Sequence, residues 1–390
     1  MTDDVDIAIL GGGCAGLSLG RELVASGFDG KAVIVEPRTS YHHDRTWGFW
    51  APRNHDFGHL VTKTWPNWSI STVDQRVTMS GREYSYQQIC SDSFYADAVD
   101  CIQSKANMTL MTGTIAHGVR SHHSYVEVNT DAGTINAKHV VDTRPRTKGE
   151  DAALIWQVFS GAEIEVDRDV FDPTTAGLMD GLTGSDQGLK FTYCLPTTQR
   201  HALIQTTWFM TNRIPPAKLN GEFHRDLKNH LGIQYRVVRE ERGALPMGQD
   251  TLVKPVDGRV IRAGQAAGAL RASSGYGFWR IQDWARNAAT EFASGRVPKP
   301  HRYESYFNAA MDRVFLHALR RTPRQSPDWF MSMAKQLCGA DFARFMMGKT
   351  NAAIWAKLLW SLPKSPFLAT LFYGAGTGHQ HKISTETAPR

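Results

Sequence analysis

Hydrophobic positions open this chain as a run. Ile7 to Leu10 is apolar, a cluster of glycines follows, a stretch with helical spacing comes next, and a second apolar run from Ala32 to Val35 ends on Glu36. Strand, turn, helix and strand in that order predict a βαβ unit. The next stretch, WSISTVDQRVTMSGREYSYQQI, alternates polar and apolar residues and predicts a hairpin turning at Ser80-Gly81-Arg82, followed by a helix over Tyr95 to Ser104. A further hairpin turns at Asp131-Ala132-Gly133. Its return strand ends in Val140-Val141 and delivers Asp142 and Arg144 to the first sheet. From Ile155 to Leu245 the alternation is mixed, with LKFTYCL and ALIQTTWF separated by a turn at Pro196 to Arg200, which predicts a second, antiparallel sheet. The segment RVIRAGQAAGALRASSGYGFWRIQDWARNAATEF reads as a short strand, two turns of small residues and a long helix. Beyond Lys299 the pattern is helical and basic up to a polar tail, residues 376–390, expected to be disordered.

The βαβ unit carries chemistry. Gly11 permits a tight turn, Gly13 lets backbone approach a pyrophosphate, Gly16 lets helix and strand pack closely, and the helix N-terminus favours phosphate charge. Glu36 stands where a carboxylate accepts hydrogen bonds from an adenosine ribose. An acid at that place favours FAD or NAD over NADP.

The block from Met331 to Tyr373 mixes Phe342, Phe345, Trp355, Leu359, Trp360 and Phe367 with Lys335, Arg344, Lys349, Lys357 and Lys364. A spanning helix needs about 18 or more apolar residues in a row, and the lysines interrupt every run. Two readings remain: a helix lying in the headgroup interface, or helices packed on the protein's own core. The net charge of +6 favours an anionic partner. No nucleic-acid signature accompanies it, so lipid is the expected anion, and Arg320, Arg321 and Arg324 either meet headgroups or face water. Five scattered cysteines without a C-x-x-C pair suggest neither a disulfide framework nor a zinc site, and the acidic MTDDVD start does not read as a secretory leader. A cytoplasmic setting, peripheral on the inner face of the cell membrane, is expected. His42-His43, His122-His123 and His379-Gln380-His381 lack companions at ligand spacing, so no metal site is expected. Ser273-Ser274-Gly275 is not a nucleophile elbow.

With the glycine fingerprint and Glu36 come the loop DRTWGFW, the block IWQVFSG followed by FDP and LMD, the pair FTYCLP and RHALIQTTWF, then REERGALPM and GQAAGALRASSGYGF. In these ordered motifs the chain resembles the bacterial lycopene β-cyclases, flavoproteins of carotenoid synthesis. The resemblance implies an α/β fold like that of the aromatic hydroxylase flavoproteins: a Rossmann-like FAD-binding domain, an inserted antiparallel-sheet substrate domain and a C-terminal helical region. The implied FAD-binding domain is 1–62 with 88–150 and 256–300, the sheet domain 63–87 and 151–255, and the membrane-associating helical region 301–375. It further implies FAD in its reduced form, with NAD(P)H as reductant. Gly11, Gly13, Cys14, Ala15, Gly16, Glu36 and Arg45 would hold the ADP half. Gly264, Gln265, Gly268, Ser274, Gly275 and Tyr276 would lie near the ribityl chain and isoalloxazine. Gln265 stands where the wider flavoprotein superfamily carries an acid.

The family's reaction is a redox-neutral isomerisation. A proton is added to the terminal double bond of an acyclic ψ end, the tertiary cation is attacked by a nearby alkene, and loss of a proton leaves a β ring. Trp47, Phe49, Trp50, Tyr276, Phe278 and Trp279 are the expected aromatic walls, each equally open to a plain core role. The family's proton donor is a glutamate on the strand after the FxYxLP segment, and Gln205 occupies its position here. A carboxamide cannot donate that proton. Either another carboxyl acts, with Glu240, Glu241 and Asp180 as candidates, or the scaffold serves an isoprenoid reductase or hydroxylase, or the chain binds carotenoid without catalysis.

Overall fold

A computed structural model describes residues 3–145, 153–248, 258–301 and 305–374. The chain opens with β1 (Asp3–Leu10), α1 (Cys14–Ala25) and β2 (Ala32–Glu36), the βαβ unit expected from the sequence. Then come β3 (Thr46–Ala51), β4 (Val61–Trp65), β5 (Asn67–Ser71), β6 (Arg76–Ser80), β7 (Ser85–Cys90) and α2 (Ser91–Gln103). Next follow β8 (Met108–Thr112), β9 (Ala116–Ser121), β10 (Val126–Thr130) and β11 (Gly133–Asp142).

A seven-stranded sheet forms in the order β8-β2-β1-β11-β10-β9, with β17 (Val260–Arg262) added beside β11. β8, β2, β1, β11 and β17 run parallel, β10 pairs antiparallel with β11, and β9 pairs antiparallel with β10. Parallel strands buried on both sides are continuous apolar runs, and Ile7 to Leu10 and Ala32 to Val35 are fully buried for that reason. Leu17 and Leu23 of α1, Phe94 and Ile102 of α2 and Phe292 of a later helix seal one face.

The second sheet has the order β16-β12-β15-β14-β13-β5-β6, built from β12 (Ile155–Val166), β13 (Thr175–Ser185), β14 (Gly188–Pro196), β15 (His201–Met210) and β16 (Tyr235–Met247). Helix α3 (Asn220–Leu231) covers one face through Phe223 and Leu227. The opposite face packs on α5 (Tyr306–Arg321), α6 (Ser326–Gln336), α7 (Gly339–Met346) and α8 (Ala352–Ser361), through Leu316, Trp329, Phe342 and Leu358. The remaining helices are α4 (Phe278–Ala293), on the nucleotide sheet, and α9 (Lys364–Gly374).

Three expectations change. The turn at Ser80-Gly81-Arg82 does not close a hairpin: β6 pairs with β5 across a turn at Thr72–Gln75, and the Gly81 turn passes the chain to another sheet. That third sheet, β3-β7-β4, takes the two ends of the 63–87 segment assigned to the substrate sheet, while β5 and β6 between them stay in it. The helix expected over Tyr95 to Ser104 begins four residues earlier, with Asp92 favourably placed in its first turn. The C-terminal block is a set of short helices, and Phe342, Phe345, Trp355, Leu358 and Phe367 all join the core against the second sheet. The five cysteines are free thiols. The tail 376–390 lies outside the described residues.

Candidate functional site

The turn from β1 into α1 is shaped by glycines. Gly11 has φ +97°, a region that penalises any side chain, and a Cβ on Gly16 would overlap the Gly11 carbonyl oxygen. Gly13 is the N-cap of α1 and faces open space, with the nearest atom to an added Cβ being Arg38 Nη2 at 4.0 Å. No side chain caps this helix and no acid lies in its first turn, so its N–H groups and dipole are presented to an anion.

Glu36 ends β2 and is 3 % exposed. Its Oε2 accepts from Gly12 N at 2.6 Å, and its Oε1 accepts from Arg38 N at 2.9 Å and Arg38 Nε at 2.7 Å. The Arg38 guanidinium lies over the rings of Tyr41 and Tyr95, 4.8 and 5.2 Å from their centroids, and donates to Gly12 O at 3.1 Å. Sequence reasoning missed Arg38, although its place two residues past Glu36 was the available signal. Arg45, expected here, is exposed and donates to the Asp44 carbonyl at 2.7 Å. Cys14 is half-buried, its thiol is pushed up to about 12 by desolvation, and Gln282 Nε2 lies 3.8 Å from its sulfur. Ala15 closes against Gly264, where an added Cβ would sit 3.0 Å from the Ala15 Cβ.

Gly264 adopts φ +72° and ψ −155°, a conformation reserved for glycine, and Gln265 is exposed at the start of a short turn that Gly268 ends. The next turn is tied by Gly275 N to Arg271 O and Arg271 N to Tyr276 O, both 2.9 Å. A Cβ on Gly275 would stand 2.8 Å from Gln157 Oε1 on β12. Gln157 Oε1 and Ser274 Oγ are buried without a hydrogen-bond partner. Buried orphan polar atoms are costly. Together with the open helix N-terminus and Glu36, they fit a bound dinucleotide running from β2 toward the second sheet.

Beside this turn is a cavity of about 300 Å³ lined by Phe49, Trp50, Tyr276, Phe278, Trp279, Met346 and Met347, with Arg271, Arg280, Arg286 and Lys349 also on its wall. Phe49 and Phe278 stack at 4.9 Å and 7°. Trp47 is not part of this wall: half-buried, its ring packs edge-on against Phe94 at 5.4 Å. Tyr276 Oη lies 3.5 Å from Tyr86 Oη and also bonds Tyr193, a buried and a half-buried tyrosine that the sequence did not single out.

The acids separate by sheet face. Tyr193 pairs with Gln205, Gln205 with Gly161 and Gly161 with Glu241, so all four share the face turned toward the cavity side. Gln205 donates to Thr207 Oγ1 at 3.3 Å. Glu241 is 8 % exposed, accepts from Thr46 Oγ1 and Arg239 Nη2, each at 3.1 Å, and its carboxyl is raised by burial despite the arginine. Asp180 sits on the opposite face, accepting from Ser71 Oγ at 3.0 Å, 3.3 Å from Arg76 and facing the Cys194 side. Glu240 is on the surface, paired with Arg242 and His224. The donor role expected of these two does not suit their positions: one points away from the cavity, and the other is exposed beside Arg242 and His224.

The chain matches the lycopene cyclase protein family over residues 6–370. It belongs to that family. Among curated relatives of this lycopene cyclase family member, the chloroplastic lycopene beta cyclase of Nicotiana tabacum is 25% identical, over 70% of this chain and 57% of that one. The chain thus spans little more than half the length of that relative. The lycopene beta-cyclase of Pantoea ananas is 22% identical over 95% of this chain and 98% of its own. Among solved structures, a geranylgeranyl bacteriochlorophyll reductase-like protein from Thermoplasma acidophilum superposes with TM-score 0.63 at 12% identity, covering 95% of this chain and all of the other. A mutant of the halogenase PltM in complex with FAD gives 0.55 at 11% identity, over 95% and 84%. The shared architecture is the Rossmann-like flavoprotein fold.

Proposed function

We propose that this chain binds FAD and closes β rings on the acyclic ψ ends of lycopene, without net redox change. Family membership, the dinucleotide cradle and an aromatic cavity support the reading. Glu241 is the single observation that carries it: a buried carboxyl on the same sheet face as Gln205, its proton affinity raised by desolvation. In this reading Glu241 gives its proton to the terminal alkene, the second alkene attacks the tertiary cation, and the ring proton returns to the carboxylate. Atoms and electrons balance. Phe49, Trp50, Tyr276 and Phe278 exclude water and turn π faces to the cation.

Gly11, Gly13, Gly16, Glu36, Arg38, Gly264 and Ser274 are the residues that would hold FAD. In its reduced form, with NAD(P)H as reductant, it supplies negative charge beside the cation.

The substrate is a lipid, and the C-terminal helices expose Tyr306, Phe307, Leu359, Trp360 and Leu368, with Lys364 5.5 Å from the Trp360 ring. Among the described residues no helix is long and apolar enough to cross a membrane. This face rests on the cytoplasmic leaflet, apolar side chains down and lysines toward phosphate.

Expression in cells that accumulate lycopene tests the proposal. Cyclic products of unchanged hydrogen content support it. Saturated or oxygenated products make the chain a reductase or hydroxylase, and unchanged lycopene overturns catalysis in favour of carotenoid binding.

A further inference from the structure

The histidines dismissed by spacing gain partners in space. The fold brings His43, Cys90 and Asp92 together, their donor atoms all within 4.8 Å of one another. His43 lies in the loop before β3, Cys90 ends β7 and Asp92 stands in the first turn of α2. Ser91 laces these segments: its N–H donates to Arg45 O at 2.9 Å, and its Oγ accepts from the N–H groups of Asp44 and Arg45, each at 3.0 Å. The loop that carries the imidazole is therefore fixed by backbone bonds against the junction that carries the thiol and the carboxylate.

The surroundings favour a cation. Among the described residues the hydrogen-bond contacts of the Cys90 sulfur are long, Thr62 Oγ1 at 3.7 Å and Gln88 Nε2 at 3.8 Å. Gln88 is 4 % exposed and its Oε1 is buried without a partner. The amide nitrogen is the atom nearest the sulfur, and turning the amide about its last bond exchanges it for the unpartnered oxygen, a fourth ligand beside the thiol. Asp92 is exposed, so an ion can enter from solvent.

We infer that His43, Cys90 and Asp92 form a binding site for one Zn²⁺ ion, with the Gln88 amide oxygen or water as the fourth ligand. Sulfur, nitrogen and oxygen ligands in one site suit this borderline-soft ion better than Mg²⁺ or Ca²⁺, and three protein ligands with an adaptable fourth are within its coordination habits. The site also touches the acid: His43 Nε2 is 3.3 Å from Thr46 Oγ1, the group that donates to Glu241. A bound ion would fix the imidazole and, through Thr46, the setting of that carboxyl. The inference itself stands on the donor geometry and does not depend on the proposed reaction.

The test uses the full chain with its flavin, equilibrated with Zn²⁺ alone. Equilibrium dialysis should find one tightly held ion per chain, and X-ray absorption at the zinc edge should show one sulfur at about 2.3 Å with nitrogen and oxygen neighbours. Cys90→Ser should remove the sulfur shell, and both it and His43→Ala should weaken binding by at least about tenfold to a hundredfold. Asp92→Asn, at an exposed position that leaves the fold intact, should weaken binding as well. A zinc sphere without sulfur, or equal affinity in wild type and Asp92→Asn, would mean an adventitious ion only and would overturn the site. Neither readout depends on turnover, so failure of the site is distinguishable from failure of the proposed reaction.

Discussion

Gln205 and Glu241 are both direct cross-strand partners of Gly161, one from β15 and one from β16. The glycine keeps the ground between them bare, and a Cβ there would stand 2.9 Å from the Gln205 Cβ. The carboxyl absent at one strand is thus present two strands away on the same face.

Removing that carboxyl should separate the roles. Glu241→Gln keeps size and hydrogen bonding but cannot donate, so cyclisation should fall about 10²–10⁴-fold, while Gln205→Ala retains most of the activity. Pigment analysis of lycopene-accumulating cells reads both. Equal loss in the two variants would dismiss Glu241 as donor.

The same residue predicts a pH dependence. Burial, the largest influence, raises the Glu241 carboxyl, so the folded chain keeps a proton that the unfolded chain has released. The stability it contributes is whole below the ordinary carboxylate range and is lost as pH rises through the raised value. In the proposed reaction the protonated form is the donor, so ring closure should decline over the same rise. Thermal melts at stepped pH should show a shallower decline for Glu241→Gln than for wild type.

Flavin retention reads the β1 to α1 turn. Glu36→Ala removes the acceptor at the end of β2, a loss of about 1.5–3 kcal/mol, or roughly tenfold to a hundredfold in flavin affinity. Gly16→Ala forces overlap with the Gly11 carbonyl and should cost about 1–3 kcal/mol of stability besides. Flavin titration and melting curves of the purified variants check both.

Trp360 is 81 % exposed and Phe307 52 %. Replacing either by Asp should weaken sedimentation with anionic vesicles about tenfold or more, since each buried aromatic is worth about 1.5–3 kcal/mol, and the Trp360 change should leave the melting temperature unchanged, whereas Phe307 also packs edge-on on Trp355. Vesicle binding that is indifferent to both changes would remove the lipid face.

Much of this was legible in the chain. The βαβ unit was clear because continuous apolar strands and obligatory glycines have few alternatives, and the hairpin at Asp131-Ala132-Gly133 because a glycine at φ +124° marks it. Strand partnership was not legible: alternation says which residues share a face but not which strand lies alongside, so β7 was assigned to the wrong sheet. Asp180 failed for a related reason. β13 carries register shifts on either side of Asp180, so counting by twos along LMDG gives the wrong face. The His43, Cys90 and Asp92 group was invisible because 47 positions separate the imidazole from the thiol, a span no ligand-spacing rule covers.

Phe49 and Trp50 are neighbours in the chain yet root in different hydrophobic nuclei, Phe49 with the nucleotide layer and Trp50 with the second sheet. The short strand β3 is therefore a rivet driven through two plates. Any breathing that admits or releases a long substrate has to come from elements outside it, since sliding the plates apart would pull two large rings from their sockets at once.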